Sequence, residues 1–205
     1  MITILDYGMG NLGSIQNMFK RIGVSAEITG DIEVLGRARK ILLPGVGAFD
    51  SAMMRINQSG LRDVLNRKVL QDRVPVLGIC LGMQLLTESS EEGQLPGLGW
   101  IAARTLSFRE RIDSQLKSPH MGWNLVSLNA PSALTRGFDE FEEPRFYFVH
   151  SYFVKCTDPA DAILRTTYGI PYDSGIQKGN IYGVQFHPEK SHRFGMKLLE
   201  NFASL

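Results

Sequence analysis

Cysteine is scarce in this chain. Cys80 and Cys156 are the only two, and they lie too far apart to build a disulfide framework or a zinc-ligand cluster. That scarcity points to a reducing compartment, the cytoplasm. The histidines, His120, His150, His187 and His192, include no pair at metal-ligand spacing, so neither a metal site nor a cofactor is expected. An excess of charge is missing too: 22 basic and 21 acidic side chains nearly cancel, which removes nucleic acid and anionic membranes from the expected partners. No apolar run approaches the roughly 18 residues of a membrane-crossing helix. The opening Met1-Ile2-Thr3-Ile4-Leu5-Asp6 meets a charge and then glycines too early for an export signal. Repeats, low-complexity tracts and linker-like stretches are absent, so a single domain over residues 1–205 is expected.

What is present is an ordinary globular composition, 43% hydrophobic and 21% charged, with enough apolar side chains for a substantial core. The first half alternates short apolar runs with helical spacing. Strands are expected at 2–5, 24–28, 40–43 and 74–79, and helices at 11–21, at 48–68 with a break near Gly60, and after Cys80. Between residues 98 and 185 the pattern turns β-rich. Strands are expected at 145–154, 162–168 and 180–186, with turns at Asn129-Ala130-Pro131 and Ile170-Pro171-Tyr172-Asp173. An amphipathic helix at 194–202 closes the chain. The implied fold class is α/β: a mostly parallel central sheet flanked by helices, with an additional antiparallel β-rich part. Working sites in such sheets lie at the carboxyl ends of the strands, where the glycine-rich segments after the first, third and fourth strands fall.

One of those segments carries a thiol. Gly78-Ile79-Cys80-Leu81-Gly82 directly follows Val74-Pro75-Val76-Leu77 and leads into the helical Met83-Gln84-Leu85-Leu86. A lone cysteine after a strand is more often a buried apolar residue than a catalyst. Glycines on both sides change that reading. They fit a strand-to-helix turn tight enough to project one side chain above the sheet, a nucleophile elbow, with helix N–H groups aimed at the thiol and favouring thiolate. Far downstream, His187-Pro188-Glu189 follows an apolar strand. Residues two apart in an extended segment point the same way, and Pro188 favours an extended His187, so Glu189 can orient the imidazole that activates the thiol. Taken alone, the tripeptide equally fits a strand-ending turn with a solvated Glu189.

Leu43-Pro44-Gly45-Val46-Gly47-Ala48-Phe49 supplies backbone N–H groups that, with the N–H of Leu81, could form an oxyanion hole. A phosphate loop is the weaker rival, since no Gly-Lys-Ser/Thr follows. Gly8, Gly10 and Gly13 match dinucleotide-loop spacing, but only Asp31 and Glu33 loosely offer the acidic residue that should follow. Of the remaining histidines, His120 reads as a surface turn residue, His150 as a strand residue with a hydrogen-bonded ring, and His192 as an exposed helix start. Cys156 reads as an inert strand residue.

These elements together resemble the class I (triad) glutamine amidotransferases. The opening Asp6-Tyr7-Gly8-Met9-Gly10-Asn11-Leu12, with Pro119-His120-Met121-Gly122-Trp123-Asn124, Tyr147-Phe148-Val149-His150-Ser151-Tyr152 and His187-Pro188-Glu189-Lys190-Ser191, narrows the resemblance to the glutaminase subunits of imidazole glycerol phosphate synthase. The resemblance implies an amidotransferase-like fold and a catalytic triad of Cys80, His187 and Glu189. It implies oxyanion donors at Val46, Gly47 and Leu81, and glutamine contacts from Gly45, Gln84, His150, Ser151 and Tyr152. It also implies a heterodimer with a (β/α)8-barrel cyclase, docked near Asn11, Met121, Trp123 and Lys190. By the same resemblance that partner is expected to receive the ammonia and make imidazole glycerol phosphate and AICAR from PRFAR in histidine biosynthesis, and low basal activity is expected of the isolated subunit.

One departure stands out. After Ser191 the chain reads His192-Arg193, where the histidine-pathway subunits commonly carry a small residue. This ending, with Ser174-Gly175-Ile176-Gln177-Lys178-Gly179-Asn180, resembles paralogues that supply ammonia for amidating a surface-polysaccharide sugar. Two further readings stay open: a non-catalytic regulatory partner with the same fold, and a cysteine peptidase.

Overall fold

A computed structural model describes residues 1–205. Its strands, in chain order, are β1 (Ile2–Leu5), β2 (Ala26–Thr29), β3 (Ile41–Leu43), β4 (Val76–Ile79), β5 (Ser89–Ser90), β6 (Ala103–Ser107), β7 (His120–Leu125), β8 (Ser127–Leu128), β9 (Arg145–His150), β10 (Tyr152–Cys156), β11 (Ala162–Tyr168), β12 (Ile170–Lys178) and β13 (Ile181–Val184). The α-helices are α1 (Leu12–Arg21), α2 (Ile32–Gly36), α3 (Phe49–Gln58), α4 (Leu61–Asn66), α5 (Leu81–Leu85) and α6 (His192–Ser204), and a π-helical turn, Arg67–Gln71, extends α4.

The large sheet runs β2-β1-β3-β4-β13-β12-β10-β6-β5, with β11 pairing β12 off this path and β8 pairing β11. From β2 to β13 all neighbours are parallel. Beyond β13 the ladder turns antiparallel through β12, β10 and β6. β1, β3, β4 and β13 are buried along their whole length, the signature of parallel strands covered on both faces. Strand alternation divides their side chains between two cores. Leu43 and Val76 join α3, α4 and α5 on one face. Leu42 and Leu77 join α1 and α6 on the other.

The first half matches expectation closely. Gly60, with φ +74°, breaks the 48–68 helix as read, and strand limits move by a residue or two. Helix α2 was not expected; the Asp31 side chain caps it by accepting from the Glu33 and Val34 N–H groups.

The second half corrects three expectations. The 145–154 strand is two strands, β9 and β10, which part at Ser151 and enter different sheets. The Ile170-Pro171-Tyr172-Asp173 turn is the start of β12. The reversal is made one residue earlier by Gly169, at φ +70°, and Pro171 lies where only β11 flanks the strand. His120 is no surface turn residue. It is buried and opens β7, which pairs with β9 so that His120 faces His150.

Candidate active site

The β4–α5 junction is as tight as the glycines require. Cys80 has φ +54°, a strained value for a side-chain-bearing residue, held by the packing around it. A Cβ on Gly78 would stand 2.6 Å from the Gly82 carbonyl oxygen, and one on Gly82 would stand 1.9 Å from the Leu43 carbonyl oxygen. Both contacts are with backbone, so neither can relax by a side-chain rotation. Gly82→Ala is therefore expected to destabilise the fold by about 3 kcal/mol or more, as severe overpacking does. Chemical denaturation measures it, and a wild-type midpoint would refute this account of the turn.

His187 reaches the same place from the end of β13. Its N–H donates to the Tyr147 carbonyl at 2.9 Å, and its Nδ1 lies 2.8 Å from Glu189 Oε1. Both side chains are almost fully buried, at 4% and 3% exposure. The two are not related by strand alternation as expected. Pro188–Lys190 form a 3₁₀ turn that swings Glu189 back beneath the ring, and Ser191 Oγ clamps the turn by donating to the His187 carbonyl. His187 Nε2 is left with no hydrogen-bond partner. Burial pulls the ring toward neutrality, but the adjacent Cys80 sulfur and the hydrogen-bonded Glu189 carboxylate outweigh it and raise the pKa to about 10. The Cys80 thiol lies 3.9 Å from the Val149 carbonyl and accepts from Gln185 Nε2 at 3.7 Å.

Cys80 and His187 open into a cleft of about 360 Å³. Of the residues singled out from sequence, Val46, Gly47, Leu81, Gln84, His150, Ser151 and Tyr152 line it as well. Glu189 stands behind His187. Gly45 does not reach the cleft. It is buried where a Cβ would meet the Tyr7 hydroxyl at 2.8 Å and the Gly82 nitrogen at 2.9 Å, so its part is close packing under the loop. The N–H groups of Val46, Gly47 and Leu81 donate to no acceptor in the protein. Gln84 is tied into the wall, its Nε2 donating to the Tyr152 carbonyl and to Gln185 Oε1, both at 3.1 Å.

Sequence reasoning missed Glu92, Pro119 and Val149 in the lining, and Gln185 beside the sulfur. Glu92 is the lining's one acidic side chain. It accepts from the Phe49 N–H at 3.0 Å, and burial raises its carboxyl pKa. It sits in an acidic turn that matches no motif. Gln185 could have been found, because strand alternation from His187 places it on the same side. Asn11, Met121, Trp123 and Lys190 are all exposed and stand outside the cleft. Trp123 stacks on His192 at 5.4 Å, and Lys190 lies 5.5 Å over the Tyr147 ring. No helix is long and apolar enough to cross a membrane.

Comparison with known proteins extends this picture. The family model described as glutamine amidotransferase class-I matches residues 3–204. The chain is 54% identical over 202 residues to "Imidazole glycerol phosphate synthase subunit HisH 2" of Methanococcus maripaludis, covering 98% of each chain. It is 47% identical to the protein of the same name from Pseudomonas aeruginosa, covering 100% of both. Among solved structures it resembles one described as a glutamine amidotransferase, with TM-score 0.76 and 16% identity over 100% of this chain and 99% of that one.

Proposed function

From the premise that this chain belongs to the class-I glutamine amidotransferase family, we propose that it hydrolyses glutamine through Cys80, His187 and Glu189 and passes the ammonia to a synthase partner. The observation that carries the chemistry is the buried His187–Glu189 pair at 2.8 Å, with the free Nε2 of its ring beside a cysteine on a glycine-bracketed turn. His187 takes the proton of Cys80, and the sulfur attacks the side-chain carbonyl carbon of glutamine. The oxyanion so formed meets the free N–H groups of Val46, Gly47 and Leu81, each worth roughly 3 kcal/mol when aligned. His187 returns its proton to the leaving nitrogen, and ammonia departs. Water then adds to the thioester, releases glutamate and restores the thiol. Gln84, His150, Ser151 and Tyr152 shape the wall against the glutamine, and Glu92 offers the counter-charge for its α-ammonium group. Residues 1–205 act as one amidotransferase domain working in the cytoplasm.

The named relatives are subunits of imidazole glycerol phosphate synthase, so the preferred acceptor is bound to a (β/α)8-barrel cyclase that converts PRFAR to imidazole glycerol phosphate and AICAR. Met121, Trp123 and Leu125 form an exposed apolar stripe on β7, at 62%, 46% and 44% exposure, which suits a docking face beside Lys190, whose ammonium lies over the Tyr147 ring next to Trp123, and exposed Asn11 is assigned to the same interface by the family resemblance. One observation favours a second acceptor, a surface-polysaccharide sugar. His192, the departure from the histidine-pathway pattern, stacks on Trp123 within this face and would alter what fits there. The intact Cys80, His187 and Glu189 geometry speaks against a non-catalytic partner.

Reconstitution with the cyclase subunit decides the acceptor. Glutamine and PRFAR are expected to yield imidazole glycerol phosphate, and partner addition is expected to raise a low basal glutaminase rate. Glutaminase activity with no transfer to an active cyclase would move the assignment to the sugar.

A further inference from the structure

Between the Cys80 sulfur and the exposed strand β7 runs an unbroken hydrogen-bonded line of polar side chains, joined through the backbone carbonyl of Tyr152, whose bond directions play no part in the hydrolytic steps above. The directions of its hydrogen bonds can be read from one fixed point. The Tyr152 carbonyl can only accept, so His150 Nδ1, 2.7 Å away, carries a hydrogen. Burial holds this ring neutral, with its pKa lowered to about 3, so its Nε2 is an acceptor. His120 Nδ1, 3.1 Å from that nitrogen, must then donate. Burial lowers the His120 pKa as well, to about 4, which leaves its Nε2 bare and facing Asn124 Nδ2 at 3.2 Å. The Asn124 amide is oriented independently, because its oxygen accepts from the Leu125 N–H at 2.8 Å and its nitrogen also donates to the Thr167 carbonyl at 2.9 Å.

On the other side of the fixed point, the Tyr152 carbonyl also accepts from Gln84, whose amide donates onward to Gln185 Oε1. That leaves the Gln185 amide nitrogen for the Cys80 sulfur. No donor in the line is free to reverse without facing another donor or stranding an acceptor. The His120 ring is held in place by stacking on Phe148 at 4.9 Å and Tyr168 at 4.1 Å. The Tyr172 hydroxyl sits 3.2 Å from His120 Nδ1 and 3.3 Å from His150 Nε2, where it can accept from the first and donate to the second without changing the order.

We propose that His120 and His150, oriented by Asn124, are positioning residues whose fixed tautomers aim the Tyr152 carbonyl, Gln84 and Gln185 at the glutamine cleft and the Cys80 sulfur. A partly satisfied buried network is worse than an apolar one, so the arrangement is held as a unit. The proposal rests on the glutaminase reading above.

Two measurements test it. Ring ¹⁵N shifts in histidine-labelled wild-type protein are expected to show both His120 and His150 protonated at Nδ1. An Nε2–H form at either ring would overturn the proposal, and this result needs no variant. The second measurement compares His120→Phe with His120→Asn. Phenylalanine keeps the aromatic stack and removes the donor. Asparagine loses the stack but places an amide N–H where Nδ1 stood. The expected result is a glutamine KM about tenfold higher in H120F, the equivalent of one hydrogen bond, with kcat changed far less, and recovery toward wild type in H120N. If H120F keeps the wild-type KM or performs as well as H120N, packing alone explains the ring and the proposal falls. A wild-type protein without glutaminase activity would sink the functional reading instead, and the tautomer result would still stand.

Discussion

Replacing Cys80 with alanine is expected to abolish glutamine hydrolysis, by roughly 10⁴-fold or more, as loss of a covalent nucleophile does. The same variant is expected to leave ammonia-fed synthesis by the partner intact. The thiol is small and the elbow already accommodates its Cβ, so the variant keeps the turn that orders Leu81 and Gly82. Supplying an ammonium salt to the reconstituted synthase bypasses only the step that needs sulfur. The pair of assays separates a lost nucleophile from a lost fold: a collapsed elbow or failed docking would depress both. Ser151 carries the one aliphatic hydroxyl lining the cleft, the group most like the lost thiol. Glutamine turnover surviving in Cys80→Ala would therefore transfer the chemistry to its hydroxyl and refute the triad.

The second large effect belongs to Glu189→Gln. The amide fits the buried space and can still accept from His187 Nδ1–H, but the negative charge is gone. The expected loss in kcat is roughly 10⁴-fold, the size seen when a triad carboxylate is replaced by its amide. A linked change in stability has a definite sign. His187 has its folded pKa raised to about 10 from the usual 6.5, so the folded state holds the proton more tightly than the unfolded chain. That contribution is complete below about pH 6.5 and fades as pH climbs through about 10. Because Glu189 supplies part of it, the stability gap between wild type and variant should be widest near pH 6 and shrink toward pH 10. Urea unfolding across that range measures the gap; one that widens with pH would contradict the assignment of charge to this pair.

The working end of the molecule was legible where geometry leaves little choice of residue. Gly78 and Gly82 had to be glycine because backbone oxygens occupy the space of a Cβ, and that constraint shows in sequence as a bracketed cysteine. The parallel strands showed as short apolar runs because both of their faces are covered. Strand β7 hid for the opposite reason. Its exposed side carries Met121, Trp123 and Leu125, while its inward side carries His120, Gly122 and Asn124. The alternation is therefore inverted, and Pro119 and Gly122 punctuate it like a loop. His187 and Glu189 were correctly paired, though a 3₁₀ turn rather than an extended segment joins them. Glu92 gave no signal at all, since its place in the cleft depends on the Phe49 N–H, far away in sequence, that holds it.

The parallel pairing of β4 with β13, Val76 beside Ile181 and Ile79 beside Val184, has a consequence for the order of events at the ribosome. Cys80 emerges long before His187, the base proposed for it. Until β13 docks, Cys80 has no imidazole, the β4 edge lies open, and the antiparallel extension has nothing to attach to. Closing so long a loop is slow, and it is also the event that switches the chemistry on. On the proposed chemistry, a nascent or truncated chain lacking β13 holds the cysteine without consuming glutamine, so the reactive centre forms only once β13 and His187 have been made and docked.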